Sequence, residues 1–145
     1  VVHGDFRLDN CIIHPAEPRV SAVLDWELAT IGDPVADFTY LLMPWFMPVS
    51  ETRAGVGSLV GHTEDPGIPS FESYIEDYCT QTGRAALPNL NTYMAYNFFR
   101  LAAILQGILG RVRDGTAASA EAATMARQVR PLAETAWHFA KKAGA

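Results

Sequence analysis

Positive charge is scarce in this chain and arrives late. Eleven Lys and Arg face 16 Asp and Glu across 145 residues, a formal net charge of −5. Only Arg7, Arg19 and Arg53 precede Arg84, and no Lys occurs before Lys141. Nucleic-acid backbone binding depends on clustered Lys and Arg that neutralise phosphates, so the absence of any basic stripe excludes that class of partner. Cysteine is as sparse. Cys11 and Cys79 lie in apolar-patterned segments with no CxxC spacing and no secretory signal, which excludes a disulfide framework. They read as reduced, buried thiols of a cytoplasmic protein. Long apolar runs are also missing. The most apolar stretch, Tyr40 to Val49, is broken by Pro44 and Pro48 and falls far short of the roughly 20 residues that span a bilayer. No membrane segment is expected. Charged residues make up 19% of the chain against about 25% in average domains, a deficit that predicts a surface covered by another domain or subunit. The chain opens on Val1-Val2 without an initiator Met, and so reads as the interior of a longer protein.

What is present is enough apolar material for a core. Apolar residues are 49% of the total, and a chain of this length buries roughly two-thirds of its unfolded surface without staples. The first third reads as strands and turns, the rest as helices. Cys11-Ile12-Ile13 and the alternating stretch from Val20 to Leu24 flank a turn holding Pro15 and Pro18, which predicts a β-hairpin. In Gly32-Asp33-Pro34, Asp33 can cap a helix whose first position is Pro34, with Val35, Phe38, Leu41 and Leu42 inward and a stop before Pro44. Met47 to Pro69 has four Gly and three Pro without periodicity; loops of this length tend to be lids or binding loops. Ser70 caps a helix closed by Gly83, whose acidic face is read as solvated. The longest helix is expected from about Thr92 to Arg113. Phe98, Leu101, Leu105, Ile108 and Val112 form its core stripe, which Phe99, Ile104 and Leu109 widen. Arg100 sits among them and needs a carboxylate partner if buried. A last helical region, Ser119 to Lys142, should kink or split at Pro131.

The chemistry is concentrated at the start, in His3-Gly4-Asp5-Phe6-Arg7-Leu8-Asp9-Asn10, followed by the hairpin and then Leu24-Asp25-Trp26-Glu27. Phosphoryl transfer from a nucleotide needs three groups: a carboxylate for the acceptor hydroxyl, oxygen ligands for Mg²⁺, and positive charge near the moving phosphoryl group. Asp5 on a loop can face a cleft. Asn10 can return to that cleft with a neutral oxygen, and Asp25 comes back beside them across the hairpin. A hard ion takes a few carboxylate or amide oxygens and leaves its other positions to phosphate and water, which one Asn and one Asp satisfy.

The order HGDFRLDN, LDWE, GDPVADF resembles the catalytic core of the aminoglycoside phosphotransferase and choline kinase superfamily, the small-molecule relatives of protein kinases. Its wording is closest to the phosphotransferase domains sometimes fused to acyl-CoA-dehydrogenase-like domains. The resemblance covers residues 1 to 46. It implies that Asp5 is the catalytic-loop carboxylate, that Asn10 and Asp25 are the Mg²⁺ ligands and hold the nucleotide phosphates through the ion, and that Arg7 stands near the γ-phosphate. Many family members have His at the position of Arg7. It further implies that Asp37 ties down the backbone of the catalytic loop. His3 is read as a structural residue bonded to backbone, and Glu27 as support for the site. His14 and His62 lie in loops with no ligand-spaced partner, His138 lies on a helix, and none of the three is read as functional.

The implied fold class is α+β, mainly helical: residues 1–145 as the C-terminal lobe of a protein-kinase-like fold, with a short β-hairpin at the catalytic loop. The implied activity is Mg·ATP-dependent (or GTP-dependent) phosphoryl transfer to a hydroxyl of a small molecule. The interval from Asp25 to Asp37 is too short for a peptide-binding activation segment, and no APE-like sequence appears, which disfavours a protein kinase. An inactive nucleotide-binding pseudokinase and a helical interaction module are the alternatives. The family's N-terminal lobe, with its strand Lys, has no counterpart here and is an expected partner. The apolar face it would cover makes self-association into a homo-oligomer a further expectation.

Overall fold

A computed structural model describes residues 1–49, 57–61, 67–117 and 122–145. The chain divides into two compact units, Val1–Leu42 and Met43–Ala145. The architecture is mixed, mainly helical, with one two-stranded antiparallel sheet among the described residues.

In the first unit β1 (Cys11–Ile13) pairs with β2 (Val20–Val23), with partners Cys11↔Val23, Ile12↔Ala22 and Ile13↔Val20 and a bulge between Ile12 and Ile13. An isolated bridge joins Val2 to Thr30. Helix α1 (Pro34–Leu41) begins as the sequence predicts. Asp33 accepts a hydrogen bond from the Val35 N–H at 3.0 Å, and Pro34, which has no N–H to satisfy, takes the first position. Val35, Phe38 and Leu42 are buried, as are Thr39 and Tyr40. The hairpin is barely covered. Ile12, Ile13 and Val20 are all exposed, and Cys11 is half-buried, with its thiol donating to the Arg7 carbonyl at 3.6 Å. The expectation of buried thiols is corrected at both positions, since Cys79 is half-buried too.

The second unit is helical. A 3-10 turn at Met43–Trp45 leads to α2 (Phe71–Thr82), capped by the Ser70 hydroxyl at the Ser73 N–H and closed by Gly83 at φ 69°. Helix α3 (Leu90–Arg113) packs against α4 (Ala122–Ala126) and α5 (Val129–Lys142). Its buried line is Met94, Phe98, Ala102 and Leu105, one helical face, meeting Leu132, Ala136 and Phe139 of α5. Phe98 stacks on Phe139 at 5.9 Å, and Phe46 meets both Phe139 and Phe71 edge-on at 5.1 and 4.8 Å. Full burial of Phe98 and of Phe139 contributes about 1.5–3 kcal/mol each.

Two helical expectations change. Phe99 and Ile104 do not widen the core stripe: they are 64% and 48% exposed. They lie roughly 100° and 120° around the helix from Phe98, off the face that α5 covers. Arg100 is half-buried and engaged by neighbouring groups. The final helical region does split, but at Arg127-Gln128 rather than at Pro131. Pro131 sits in the first turn of α5, where its missing N–H costs nothing. The expected start at Ser119 lies outside the described residues, as does much of the 47–69 loop, including Arg53 and His62. Of its described part, Leu59 donates to the Pro44 carbonyl at 2.8 Å and Ser58 Oγ to that of Met47 at 2.7 Å. No described helix is long and apolar enough to cross a membrane.

Candidate active site

The site is built inside the first unit, and it starts from a glycine. Gly4 has φ 84°, and a Cβ there would lie 2.7 Å from the backbone oxygen of Leu28. Both facts demand Gly. The reversal it permits turns the next residue, Asp5, away from the strand-like path of Val2, whose N–H and C=O both pair with Thr30. Asp37 of α1 fixes that reversal. Its two carboxylate oxygens accept separately, Oδ2 from the His3 N–H and Oδ1 from the Gly4 N–H at 2.8 Å.

His3 is buried, with 3% of its surface exposed. Its Nε2 lies 2.7 Å from the Leu24 carbonyl and its Nδ1 accepts from the Asp5 N–H at 3.2 Å. A carbonyl can only accept and an N–H can only donate, so these contacts assign the ring as the neutral Nε2–H tautomer. The ring leans on Trp26 at 4.7 Å between centroids, while the Trp26 indole donates to the Val23 carbonyl at 2.8 Å. His3 therefore braces the loop against the end of the hairpin.

Asn10 returns to Asp5 through a 3-10 turn, Leu8–Asn10. Its amide nitrogen donates to the Asp5 carbonyl at 2.8 Å and to Asp5 Oδ2 at 3.2 Å. With the NH₂ spent on Asp5, the Oδ1 of Asn10 is the oxygen left to serve a ligand. The hairpin then brings Asp25 round. Leu24 N–H donates to the Asn10 carbonyl at 2.8 Å, extending the ladder beyond the Cys11↔Val23 pair. Asp25 follows at once, at φ 64° and ψ 52°, a left-handed conformation that Asp tolerates better than most residues. It is exposed, and its carboxylate makes no hydrogen bond or ion pair among the described residues.

Arg7 supplies the positive charge. Its Nη2 lies 3.1 Å from Asp9 Oδ2 and its Nε 3.9 Å from Asp5 Oδ2, too far for a hydrogen bond. That Nε is buried and has no acceptor. The structure thus brings together Asp5, Arg7, Asn10, His3 and Asp37 through hydrogen bonds and ion pairs, with Asp25 at the adjoining strand end. Glu27 differs: it is exposed on the 3-10 turn Trp26–Leu28 and makes no contact of support among the described residues. Of the histidines set aside, His14 faces Glu17 at 4.0 Å and His138 packs edge-on against Phe139.

Three participants escaped the sequence reading. The backbone constraint at Gly4 depends on Leu28, far along the chain. Trp26 carried a signal in its place between two carboxylates, and Asp9 in its spacing from Arg7. The Asn10 and Asp25 oxygens suit a hard cation, and the Arg7 Nε–H near Asp5, which lacks an acceptor, suits an anionic oxygen ligand. No cluster of three or more His, Cys, Asp or Glu that could hold a metal occurs among the described residues.

The sequence profile of the phosphotransferase enzyme family matches residues 1–87, more than half of the chain and all of the first unit. The chain belongs to that family. This phosphotransferase-family chain is also similar to larger proteins. It is 45% identical over 148 residues to acyl-CoA dehydrogenase family member 10 of Mus musculus, covering 99% of this chain and 13% of that protein. It is 42% identical over 143 residues to acyl-CoA dehydrogenase family member 11 of Homo sapiens, covering 98% and 18%. Among solved structures, a Ralstonia eutropha protein described as an aminoglycoside phosphotransferase superposes with a TM-score of 0.85 at 49% identity, over 97% of this chain and 42% of that one. The chain therefore spans less than a fifth of the curated relatives it matches and under half of the solved neighbour.

Proposed function

We propose that residues 1–145 are the C-terminal catalytic lobe of a Mg·ATP-dependent phosphotransferase that acts on a hydroxyl group of a small molecule. The observation that carries this reading is the double donation of Asn10 to Asp5, which leaves one carboxylate for the acceptor and one amide oxygen for metal. Asp5 accepts the proton of the acceptor hydroxyl as that oxygen bonds to the γ-phosphorus and the bond from phosphorus to the bridging oxygen of ADP breaks. Arg7 offers its unpaired Nε–H to a phosphoryl oxygen, balancing charge that spreads onto it. Asn10 Oδ1 and the Asp25 carboxylate are the residues that would hold Mg²⁺. When bound, the ion neutralises phosphate charge. His3 and Asp37 keep the loop in place without touching substrate.

The donor is read as ATP or GTP, gripped mainly by an N-terminal lobe that these residues do not contain. For the acceptor, the names of the relatives and of the solved neighbour raise acyl-CoA compounds and aminoglycosides, beside sugars and amino alcohols. An acceptor screen with the complete protein and γ-labelled ATP tests the proposal. Label transfer to a hydroxyl compound, abolished by chelating Mg²⁺, is expected. Absence of transfer to every class, with nucleotide binding intact, would overturn it in favour of a nucleotide-binding module.

A further inference from the structure

Among the described residues the Arg7 guanidinium meets two carboxylates, one close and one distant. A guanidinium has five N–H donors in a rigid plane, so fixing one nitrogen constrains where the others point. Asp9 forms an ion pair with Nη2 at 3.1 Å, whereas Asp5 stands 3.9 Å from Nε and leaves that N–H buried without an acceptor. The two carboxylates are differently placed: the Asp5 side chain is 23% exposed and the Asp9 side chain 62%. Asp9 lies on the 3-10 turn between Arg7 and Asn10, and the Asn10 N–H closes that turn on the Arg7 carbonyl at 3.0 Å. One short turn therefore sets the backbone of Arg7 and Asn10 and carries the anion that restrains the Arg7 head.

We propose that Asp9 is a positioning residue: it anchors the Arg7 guanidinium so that Nε–H stays directed beside Asp5, ready for an anionic oxygen, instead of collapsing onto the Asp5 carboxylate. The inference rests on the phosphotransferase reading above. Without Asp9, the 3.9 Å approach of Arg7 Nε to Asp5 is free to close to a hydrogen bond, which would occupy the same carboxylate needed for the acceptor proton. The loss would thus reach both the charge and the base, while acceptor affinity, set elsewhere, is untouched.

The complete protein, with Asp9→Ala, Asp9→Asn, Asp9→Glu, Arg7→Ala and the Asp9→Ala/Arg7→Ala pair, tests this. Asp9→Ala and Asp9→Asn should each lower kcat about tenfold with an unchanged acceptor KM, and Asp9→Glu should recover most of the rate. The double variant should be no slower than Arg7→Ala alone, because Asp9 acts only through Arg7. Melting temperatures should stay at the wild-type value, since the Asp9 side chain is mostly in water. Full kcat in Asp9→Ala, or additive losses in the pair, overturns the proposal. A second measurement is independent of turnover: the ¹⁵N-arginine NMR signal of Arg7 Nε–H, identified by its loss in Arg7→Lys. Its exchange with water should accelerate in Asp9→Ala, and its response to added inorganic phosphate should weaken; an unchanged signal overturns the role of Asp9. If the wild-type protein transfers phosphate to no acceptor, the functional reading fails while this NMR comparison still decides the anchoring.

Discussion

Asn10 donates to Asp5 twice, to its backbone carbonyl at 2.8 Å and to its carboxylate at 3.2 Å, so the side chain read as a metal ligand also orients the side chain read as the base. The coupling is one-sided in charge, because only Asp5 carries any. Replacing Asp5 by Asn keeps the size and removes the proton acceptor. In the complete protein Asp5→Asn should lower kcat by about 10²–10⁴-fold, with nucleotide affinity and circular dichroism unchanged. Steady-state kinetics beside nucleotide titration provide the check, and equal turnover would remove Asp5 from the mechanism.

Asp25 is the negatively charged member of the pair read as metal ligands. Asp25→Ala should raise the Mg²⁺ concentration needed for half-maximal rate and weaken nucleotide binding together, since an ion of this kind bridges protein and phosphate oxygens. Asn10→Ala should act in the same direction more mildly. Activity measured across a Mg²⁺ series tests both, as does line broadening by Mn²⁺, which should centre on Asn10 and Asp25.

Gly4 leaves no room for a side chain. Gly4→Ala should destabilise the protein by roughly 2–4 kcal/mol, combining a disfavoured positive φ with contact against the Leu28 backbone oxygen. Chemical denaturation measures the cost. A loss under about 0.5 kcal/mol would mean that the loop rearranges freely.

Asp37 touches no substrate in this reading, yet its removal should be felt. Asp37→Ala leaves two backbone N–H groups without their charged acceptor and should cost about 2–4 kcal/mol, with Asp37→Asn losing less because one oxygen survives. A variant as stable as wild type would show that water replaces the carboxylate.

The isolated 145 residues should bind Mg·ATP with a Kd above about 100 μM and transfer no phosphate, because contacts to phosphate alone do not hold a donor in line. Calorimetry on the purified chain is the measurement. Micromolar binding, or turnover with any acceptor, would show that the nucleotide site is complete within it.

Local signals in the sequence were the readable ones. Asp33-Pro34, Ser70 and Gly83 announce helix ends through their own backbone chemistry, and each acts where it was expected to. The motif order placed Asp5, Asn10 and Asp25 near one another because turns and a hairpin are short-range objects. Phe99 and Ile104 misled because apolar spacing defines a stripe but not its edges; those depend on how much of α3 is covered by α5. Pro131 misled by a few residues because a proline is harmless in a first turn, so the break fell where the chain had no other reason to continue. Gly4 was opaque for a different reason: what it avoids is a carbonyl that only the folded chain brings close.

The reach of Asp37 has a kinetic side. Its bonds to His3 and Gly4 close intervals of 34 and 33 residues, so the native path of the loop that holds Asp5 depends on α1 being in place. Loop closure over that distance must be met before the carboxylate of Asp37 can reward it. The amides of His3 and Gly4 therefore belong to the same opening unit as the helix, and their hydrogen exchange should track the unfolding of residues 1–42 as a whole rather than fraying near the first residue.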